Sequence, residues 1–326
     1  MAGGQERVLR RRIKSIQSTQ KITRAMELIA ASRIVKAQAQ VAAAQPYSES
    51  ITQVVRDLSS GGGGGDSPLL NPREETRRVA HIVVAADRGL CGAYNSSVIR
   101  EAEGSLLAHR AQGHDYSLLL VGRKAESYFR YRDYRIDGVF TGFSEQPTYE
   151  DARAVGAAAT AAFLSGETDL VEIIYTRFVS AGTQVVERQT LMPLTTDDIA
   201  TDRATDGTDA VAASYEFEPS PEGILDLLLP RYVDSRIYAA LLNAAASEHA
   251  ARQRAMSAAT ENADDLMTSL SRVMNRARQD AITTEIMEIV GGAEALRQSD
   301  EGETDYLSDT IEGRDADLFV GRGATT

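Results

Sequence analysis

The chain has 326 residues, of which 43% are hydrophobic, and its formal net charge is −12. This length is enough to bury a substantial core in one large domain or two smaller ones. A single cysteine, Cys91, excludes an internal disulfide and a multi-cysteine metal site, and no run of about eighteen apolar residues predicts a membrane span.

The charge is distributed unevenly between the two ends of the chain. Residues 1–58 carry ten Lys/Arg against four Asp/Glu, whereas residues 298–326 carry eight Asp/Glu against two Arg. The start, "MAGGQERVLRRRI", is as rich in arginine as a transit peptide, but it lacks the apolar core of a secretory signal. It runs without a break into a helical pattern, so we expect it to belong to the mature protein.

Residues 1–58 are predicted to form one long helix, because no proline precedes Pro46 and no glycine follows Gly4. Apolar residues recur at alternating spacings of three and four, the pattern of a coiled-coil seam. Pro46 should bend the helix or interrupt one hydrogen bond. The apolar seam residues are Leu9, Ile13, Ile16, Ala30, Ile34, Ala37, Val41, Ala44, Ile51, Val55 and Leu58.

The stretch "QKITRAMELIAASRI" (20–34) departs from this pattern. Its seam positions are polar: Gln20, Thr23 and Glu27. A second apolar stripe points in another direction: Ile22, Met26 and Ile29. An isolated two-helix hairpin has no use for a second stripe, so the pattern predicts contact with another protein.

Residues 59–76 contain "GGGGGDSP" and are predicted to be a flexible linker, because five glycines offer no side chain to pack. In residues 77–194 strands alternate with helices, beginning with the buried strand "RRVAHIVVAAD". The strands "DLVEIIYTRFV" and "TQVVERQTLMPL", joined by "SAG", suggest a hairpin. This region therefore predicts a Rossmann-like open α/β domain with an antiparallel edge.

Residues 195–219 are predicted to be an acidic Thr/Asp-rich loop followed by a foot, and residues 220–297 a second long helix, kinked near Pro230. One seam in this helix comprises Leu266, Leu270, Val273 and Ala277, and a later one Ile282, Ile286, Ile289, Ala293 and Leu296. A lone helix of this length has no core to bury its apolar face, so we expect the N- and C-terminal helices to pair as a long antiparallel two-helix coiled coil. Residues 298–326 are expected to be an acidic disordered tail.

The strongest small-molecule candidate is "DRGLCGAYNSS", placed where a Rossmann sheet holds phosphate. It has Gly89-x-x-Gly92 rather than three glycines, so a tight strand-to-helix turn is the better interpretation, with Cys91 as a small buried residue. His109 and His114 flank a helix end and need no role beyond capping or solvation. We predict no catalytic, cofactor-binding or metal-binding residues and no cofactor. The basic residues of the first helix lack interleaved aromatics, which favours an acidic protein partner over nucleic acid.

Four segments in order resemble the gamma subunit of bacterial F-type, H+-transporting ATP synthases. They are "RRRIKSIQSTQKITRAMELIAASRIVKAQ", "DRGLCGAYN", "RYVDSRIYAALLNAAASEHAARQRAMSAATENADDL" and "NRARQDAITTEIMEIVGGAEAL". The resemblance spans residues 2–297. The glycine tract, the loop at 195–210 and the tail beyond residue 297 are unusual for this family.

The resemblance implies a non-catalytic rotor shaft that couples proton flow through the membrane c ring to ATP synthesis. Its implied partners are three alpha subunits, three beta subunits, epsilon and the c ring, with no homo-oligomer and no nucleic acid. The implied location is the cytoplasmic face of the bacterial membrane, peripheral to it through the complex. Two alternatives stay open at this point: a nucleotide-dependent Rossmann enzyme with coiled-coil extensions, and a coiled-coil scaffold or secretion-ATPase stalk.

Residue roles follow from the resemblance, position by position. The implied contacts with the alpha/beta hexamer are Lys21, Arg24, Met26, Arg278, Gln279, Thr283, Glu285 and Glu288. The implied apolar tip of the shaft comprises Ile282, Ile286, Ile289 and Leu296. The implied foot near the c ring and epsilon includes Tyr215 and Phe217.

Overall fold

A computed structural model describes residues 2–58, 67–73, 75–194 and 221–315, with side chains for 5–58, 67–73, 75–194 and 223–297. The chain divides into two compact units, Met1–Lys21 with Glu261–Thr326, and Ile22–Thr260. In chain order the described elements are α1 (Ala2–Leu58), β1 (Arg78–Val84), α2 (Tyr94–Ala111), β2 (Asp115–Val121), α3 (Arg123–Tyr131), β3 (Gly138–Phe140), α4 (Tyr149–Leu164), β4 (Leu170–Phe178), β5 (Gln184–Met192) and α5 (Pro221–Asp315).

The second unit contains one five-stranded sheet in the order β3-β2-β1-β4-β5. β1 is parallel to β2 and β4, β2 is parallel to β3, and β5 runs antiparallel to β4. β1 is buried from Val79 onward and β2 from Ser117 onward, which suits parallel strands covered by helices on both faces. The predicted Rossmann-like domain with an antiparallel edge is therefore confirmed.

Alternate residues of the strands pack into two separate hydrophobic cores, because successive side chains point to opposite faces of the sheet. On one face, Leu118 and Leu120 pack with residues of α2 and α3, including Phe129. On the other face, α4 packs together with the end of α1 and the beginning of α5, and the core includes Val55 and Tyr232. The end of α1 is thus anchored on the sheet through Ile51, Val55 and Leu58, which the seam pattern predicted.

Within this second unit, α1 and α5 pair in antiparallel fashion along the predicted seam. Ala30, Ile34 and Ala37 are all at most 5% exposed. The hydroxyl oxygens of Thr23 and Thr260 lie 2.8 Å apart. Further along α1, Ser48 lines a cavity with Ser235, which lies earlier on α5, so the two helices run in opposite directions.

The first unit also pairs the two helices, with Gln20 Nε2 donating to Asp264 Oδ1 at 2.6 Å. Here one part of the predicted seam is wrong. Leu266 and Val273 are 44% and 51% exposed, and the less exposed line on α5 runs through Met267 and Met274. That line continues the spacing of three and four from the buried Ala263 and includes Leu270 and Ala277 of the predicted seam, so only Leu266 and Val273 are displaced, each by the next residue along the helix.

Helix α5 extends beyond its expected end at residue 297 and stops at Asp315. The backbone of residues 298–315 is therefore helical, in contrast to the expected disordered tail. No proline occurs in this stretch, so nothing removes an i to i−4 backbone hydrogen bond. Pro46 and Pro230 lie inside α1 and α5, and neither ends its helix. The segments 59–66 and 195–220, with the glycine tract of the predicted linker and the whole acidic loop, lie outside the described residues.

Candidate partner-contacting surface

The second apolar stripe of α1 faces outward. Ile22 and Ile29 are 61% and 55% exposed, whereas the neighbouring Thr23 is 9% exposed and bonded within the seam. Leu28 and Val35 add to this exposed apolar surface. The hypothesis that residues 20–34 carry two faces is confirmed, and among the described residues it is the face with Thr23 and Ala30 that is packed within the chain.

Two of the three α1 residues assigned to the hexamer contact are exposed, and the third is half-buried. Lys21 and Arg24 are exposed, and Arg24 Nη1 lies 3.0 Å from Glu27 Oε2 one turn later. Met26 is half-buried. Exposed pairs such as Arg24 and Glu27 contribute about 0–1 kcal/mol, so little energy holds the arginine in place and it remains available to an acidic partner.

In the first unit, every described side chain from residue 282 to 297 is exposed. The reason is geometric: counting outward along both helices from the Gln20–Asp264 pair, the first residues of α1 lie opposite position 282. Beyond that point α5 has no partner helix among the described residues. The predicted tip residues Ile282, Ile286, Ile289 and Leu296 are between 47% and 71% exposed.

The polar residues assigned to the same segment of α5 are also exposed: Arg278, Gln279, Thr283, Glu285 and Glu288. Thr283 Oγ1 donates to the Gln279 carbonyl at 3.0 Å, which is an ordinary intrahelical bond. The segment thus presents apolar and polar side chains on all sides. Tyr215 and Phe217, assigned to the foot, lie outside the described residues.

The first residue of the strand-to-helix turn "DRGLCGAYN" is held by hydrogen bonds within the chain. The Asp87 carboxylate accepts hydrogen bonds from the backbone N–H groups of Arg123, Gly142 and Ser144, at 2.8 to 3.2 Å. Arg123 is the first residue of α3, the helix after β2, so the Asp87 carboxylate occupies the N-terminus of that helix and ties the first strand-to-helix turn to the neighbouring loops. Cys91 is buried, and burial raises the pKa of its thiol, which disfavours the nucleophilic thiolate.

A cluster of charged residues next to this turn was missed by the sequence analysis. Glu145, from the loop after β3, contacts Arg33 of α1 and lies 3.3 Å from Arg88 and 3.4 Å from Arg252. Arg252 also pairs at 2.6 Å with Glu248, which is 1% exposed. Burial opposes the ionised form of Glu145, but the arginines hold its pKa below the ordinary value. The cluster joins both long helices to the sheet within the second unit.

A second polar cluster lies beneath α2. His81 on β1 is fully buried, and its Nδ1 is 3.4 Å from Oε2 of Glu172, its neighbour on β4. Burial alone would raise the pKa of Glu172, but the proximity of His81, with Ser105 and Arg188, lowers it to about 2. Polar residues at adjacent positions of two buried strands, in "AHIVV" and "LVEII", were the available signal in the sequence.

Two findings concern membrane and metal sites in the described part of the chain. None of its helices contains a stretch apolar and long enough to cross a bilayer. Within the same ranges, no group of three or more His, Cys, Asp or Glu side chains is placed to hold a metal ion.

Comparison with known proteins adds sequence relatives and structural neighbours. A sequence profile described as ATP synthase matches residues 5–296. The ATP synthase gamma chain of Frankia casuarinae is 51% identical over 297 residues, covering 90% of this chain and 98% of that one. The ATP synthase gamma chain of Kineococcus radiotolerans is 48% identical over 300 residues, covering 91% of this chain and 98% of that one.

Among solved structures, the central stalk and c ring of the Tetrahymena thermophila mitochondrial ATP synthase is similar, with a TM-score of 0.54 and 25% identity. The match covers 73% of this chain and 99% of that chain. A chain of the Euglena gracilis mitochondrial ATP synthase (OSCP/F1/c-ring, rotational state 3) matches with a TM-score of 0.60 and 16% identity over 99% of both chains, which shows the shared fold.

Proposed function

Because the chain belongs to the ATP synthase gamma-chain family, we infer that it is the central shaft of the rotor of an ATP synthase. It couples proton flow through the membrane c ring to the conformational cycle of the alpha and beta subunits. Its partners are three alpha subunits, three beta subunits, epsilon and the c ring.

The exposed end of α5 carries this proposal. A single helix that leaves Ile286 and Ile289 more than half exposed is poorly suited to stand alone in water. Fully burying such a side chain is worth about 1.5–3 kcal/mol, so an enclosing apolar collar would stabilise the segment. A ring of alpha and beta subunits around the shaft supplies that enclosure.

The mechanism requires unequal contacts rather than chemistry on this chain. Rotation can change the affinities of three catalytic sites only if the shaft interacts differently with the conformations of the three beta subunits. The outward faces of the long helices are asymmetric, since basic, apolar and acidic residues follow one another around them. The chain itself is non-catalytic in this proposal, and catalysis belongs to the beta subunits.

The hexamer contacts are proposed from the exposed side chains. Lys21 and Arg24 face an acidic loop of beta, and Met26 packs beside them. On α5 the polar contacts are Arg278, Gln279, Thr283, Glu285 and Glu288. The apolar tip in the collar comprises Ile282, Ile286, Ile289 and Leu296. Tyr215 and Phe217 are proposed as contacts of the foot with the c ring and epsilon.

The proposed location is the cytoplasmic face of the bacterial membrane. The chain is held there through the c ring and epsilon. The turn at Asp87 argues against the nucleotide-dependent enzyme, because it lacks the third glycine of the dinucleotide fingerprint and places a carboxylate that accepts hydrogen bonds from the backbone N–H groups of Arg123 and Gly142 beside the turn. The exposed apolar tip argues against a free scaffold.

Stoichiometric assembly tests the proposal. The full chain is mixed with the alpha and beta subunits, and the product is weighed by native mass spectrometry. We expect a complex of three alpha, three beta and one copy of this chain that hydrolyses ATP. Failure to form that complex, or binding of nucleotide by this chain alone in equilibrium dialysis, would contradict the proposed role.

A further inference from the structure

A cavity of about 410 Å³ opens between α1, α5 and the first turn of α4 in the second unit. It exists because small residues occupy the seam here, so the two helices leave space between them. Much of its wall is apolar or small: Val41, Ala44, Ser48, Ser235, Ala239 and Leu242. Its volume falls in the range of about 300–1,000 Å³ typical of small-molecule sites.

Three tyrosines form the aromatic side of this cavity. The rings of Tyr149 and Tyr238 meet edge to face with centroids 5.8 Å apart. Burial raises the pKa of Tyr149, with smaller contributions from Asp234 and from Tyr47, the third tyrosine lining the cavity. The phenol of Tyr149 therefore stays uncharged at neutral pH, and the three aromatic rings lining the cavity can attract a cation.

The polar groups of the cavity are few. Ser235 is 4% exposed and lines the cavity. Glu49 is the single formally charged residue among those lining the cavity, and its carboxylate accepts a bond from Gln45 Nε2 at 2.7 Å. Arg153 and Arg231 border Tyr149 on another side together with Asp234, but they do not line this cavity.

We propose that this cavity binds a small hydrophobic amine or quaternary ammonium compound. The apolar body fills the space between α1 and α5, and the cation lies against the tyrosine rings and faces Glu49. Aromatic rings attract a cation held over their faces, and a carboxylate at the rim adds charge complementarity. Neither feature favours an anion.

Occupancy should also stabilise the second unit, since a ligand would supply the packing contacts that the small seam residues lack. The proposal does not depend on the role of the chain as a rotor shaft.

The experiment compares assembled complexes that differ only in this chain. Equilibrium dialysis measures the binding of radiolabelled benzyltrimethylammonium and of neopentylbenzene, its uncharged carbon isostere. Sites on other subunits are common to all complexes, so differences between complexes report on this chain. With the wild-type chain we expect the cation to bind about ten-fold more tightly than the isostere.

Two variants and a control separate the contribution of the Glu49 charge from that of the apolar cavity. Glu49→Gln should reduce the preference for the cation about three- to ten-fold and leave binding of the isostere unchanged. Ala239→Leu should weaken both probes by filling the cavity. Glu101→Gln, an exposed carboxylate on α2, should change neither.

Equal binding of both probes to the wild-type complex would overturn the proposal. So would a cation preference that Glu49→Gln leaves intact. If Ala239→Leu prevents assembly, Glu49→Gln alone decides, because that exposed position leaves the seam untouched.

Discussion

Replacing Ile286 and Ile289 together by serine tests whether the end of α5 is enclosed by partners. In the isolated chain these side chains are 54% and 71% exposed, and isoleucine and serine have similar helix propensities. The variant should therefore change the free energy of unfolding of the chain by less than about 1 kcal/mol. In the assembly, the remaining exposed fraction of each isoleucine would be buried, worth about 1–2 kcal/mol per residue.

The expected loss is therefore about 2–4 kcal/mol of binding free energy, or a roughly 30- to 700-fold weaker association with the alpha/beta hexamer. Circular dichroism melting of the chain and native mass spectrometry of a dilution series of the complex measure the two effects separately. Ile34→Ser is the matched control, because Ile34 is 5% exposed in the seam. It should destabilise the chain itself by about 2–5 kcal/mol.

Two results would refute this reasoning. If the double variant lowers the melting temperature of the chain as much as Ile34→Ser does, the segment is already packed within the chain. If the dissociation constant of the complex is unchanged, no partner covers these residues.

Three further changes have defined expectations. Reversing Lys21 and Arg24 to glutamate should weaken ATP-driven proton pumping more than assembly, and normal pumping would contradict the contact with an acidic beta loop. The pKa of Glu172 is lowered to about 2, so its contribution to stability is present above its ordinary pKa near 4.5 and is lost as pH falls toward 2. In the Glu172→Gln variant, the free energy of unfolding should therefore depend less steeply on pH in that window. Gly122→Ala should lower the free energy of unfolding in urea by about 3 kcal/mol or more, because φ is +91° and an added Cβ would lie 2.2 Å from a backbone oxygen. The control Gly104→Ala, with open space around this position in α2, should leave that free energy unchanged or raise it.

Features governed by local periodicity could be predicted from the sequence. The spacing of three and four placed Ile34 and Val55 in the seam, and alternation of strands with helices predicted the sheet and its antiparallel edge. The same reasoning failed at Leu266 and Val273, because several apolar positions compete for the seam and only the paired helix decides the phase.

Long-range polar contacts could not be predicted from the sequence. Arg33, Glu145 and Arg252 are separated by more than a hundred positions, and no local spacing indicates that they meet. The second, outward-facing stripe of residues 20–34 could be predicted because apolar residues break the seam pattern there. Whether and where partner residues would contact this stripe depends on subunits that this sequence does not encode.

The hydroxyl pair of Thr23 and Thr260 has a mechanical consequence. Small side chains such as Ala30 and Ala37 interlock only weakly across the seam. Two helices joined through them can therefore slide along each other at little cost in free energy when they are twisted. Thr260 Oγ1 also donates to the Met256 carbonyl at 2.8 Å within its own helix, so it is the bond between the two hydroxyls that sliding by one seam position would break, at about 0.5–1.5 kcal/mol. The pair thus opposes sliding of one helix along the other when the helices are twisted, and it leaves both helices free to bend.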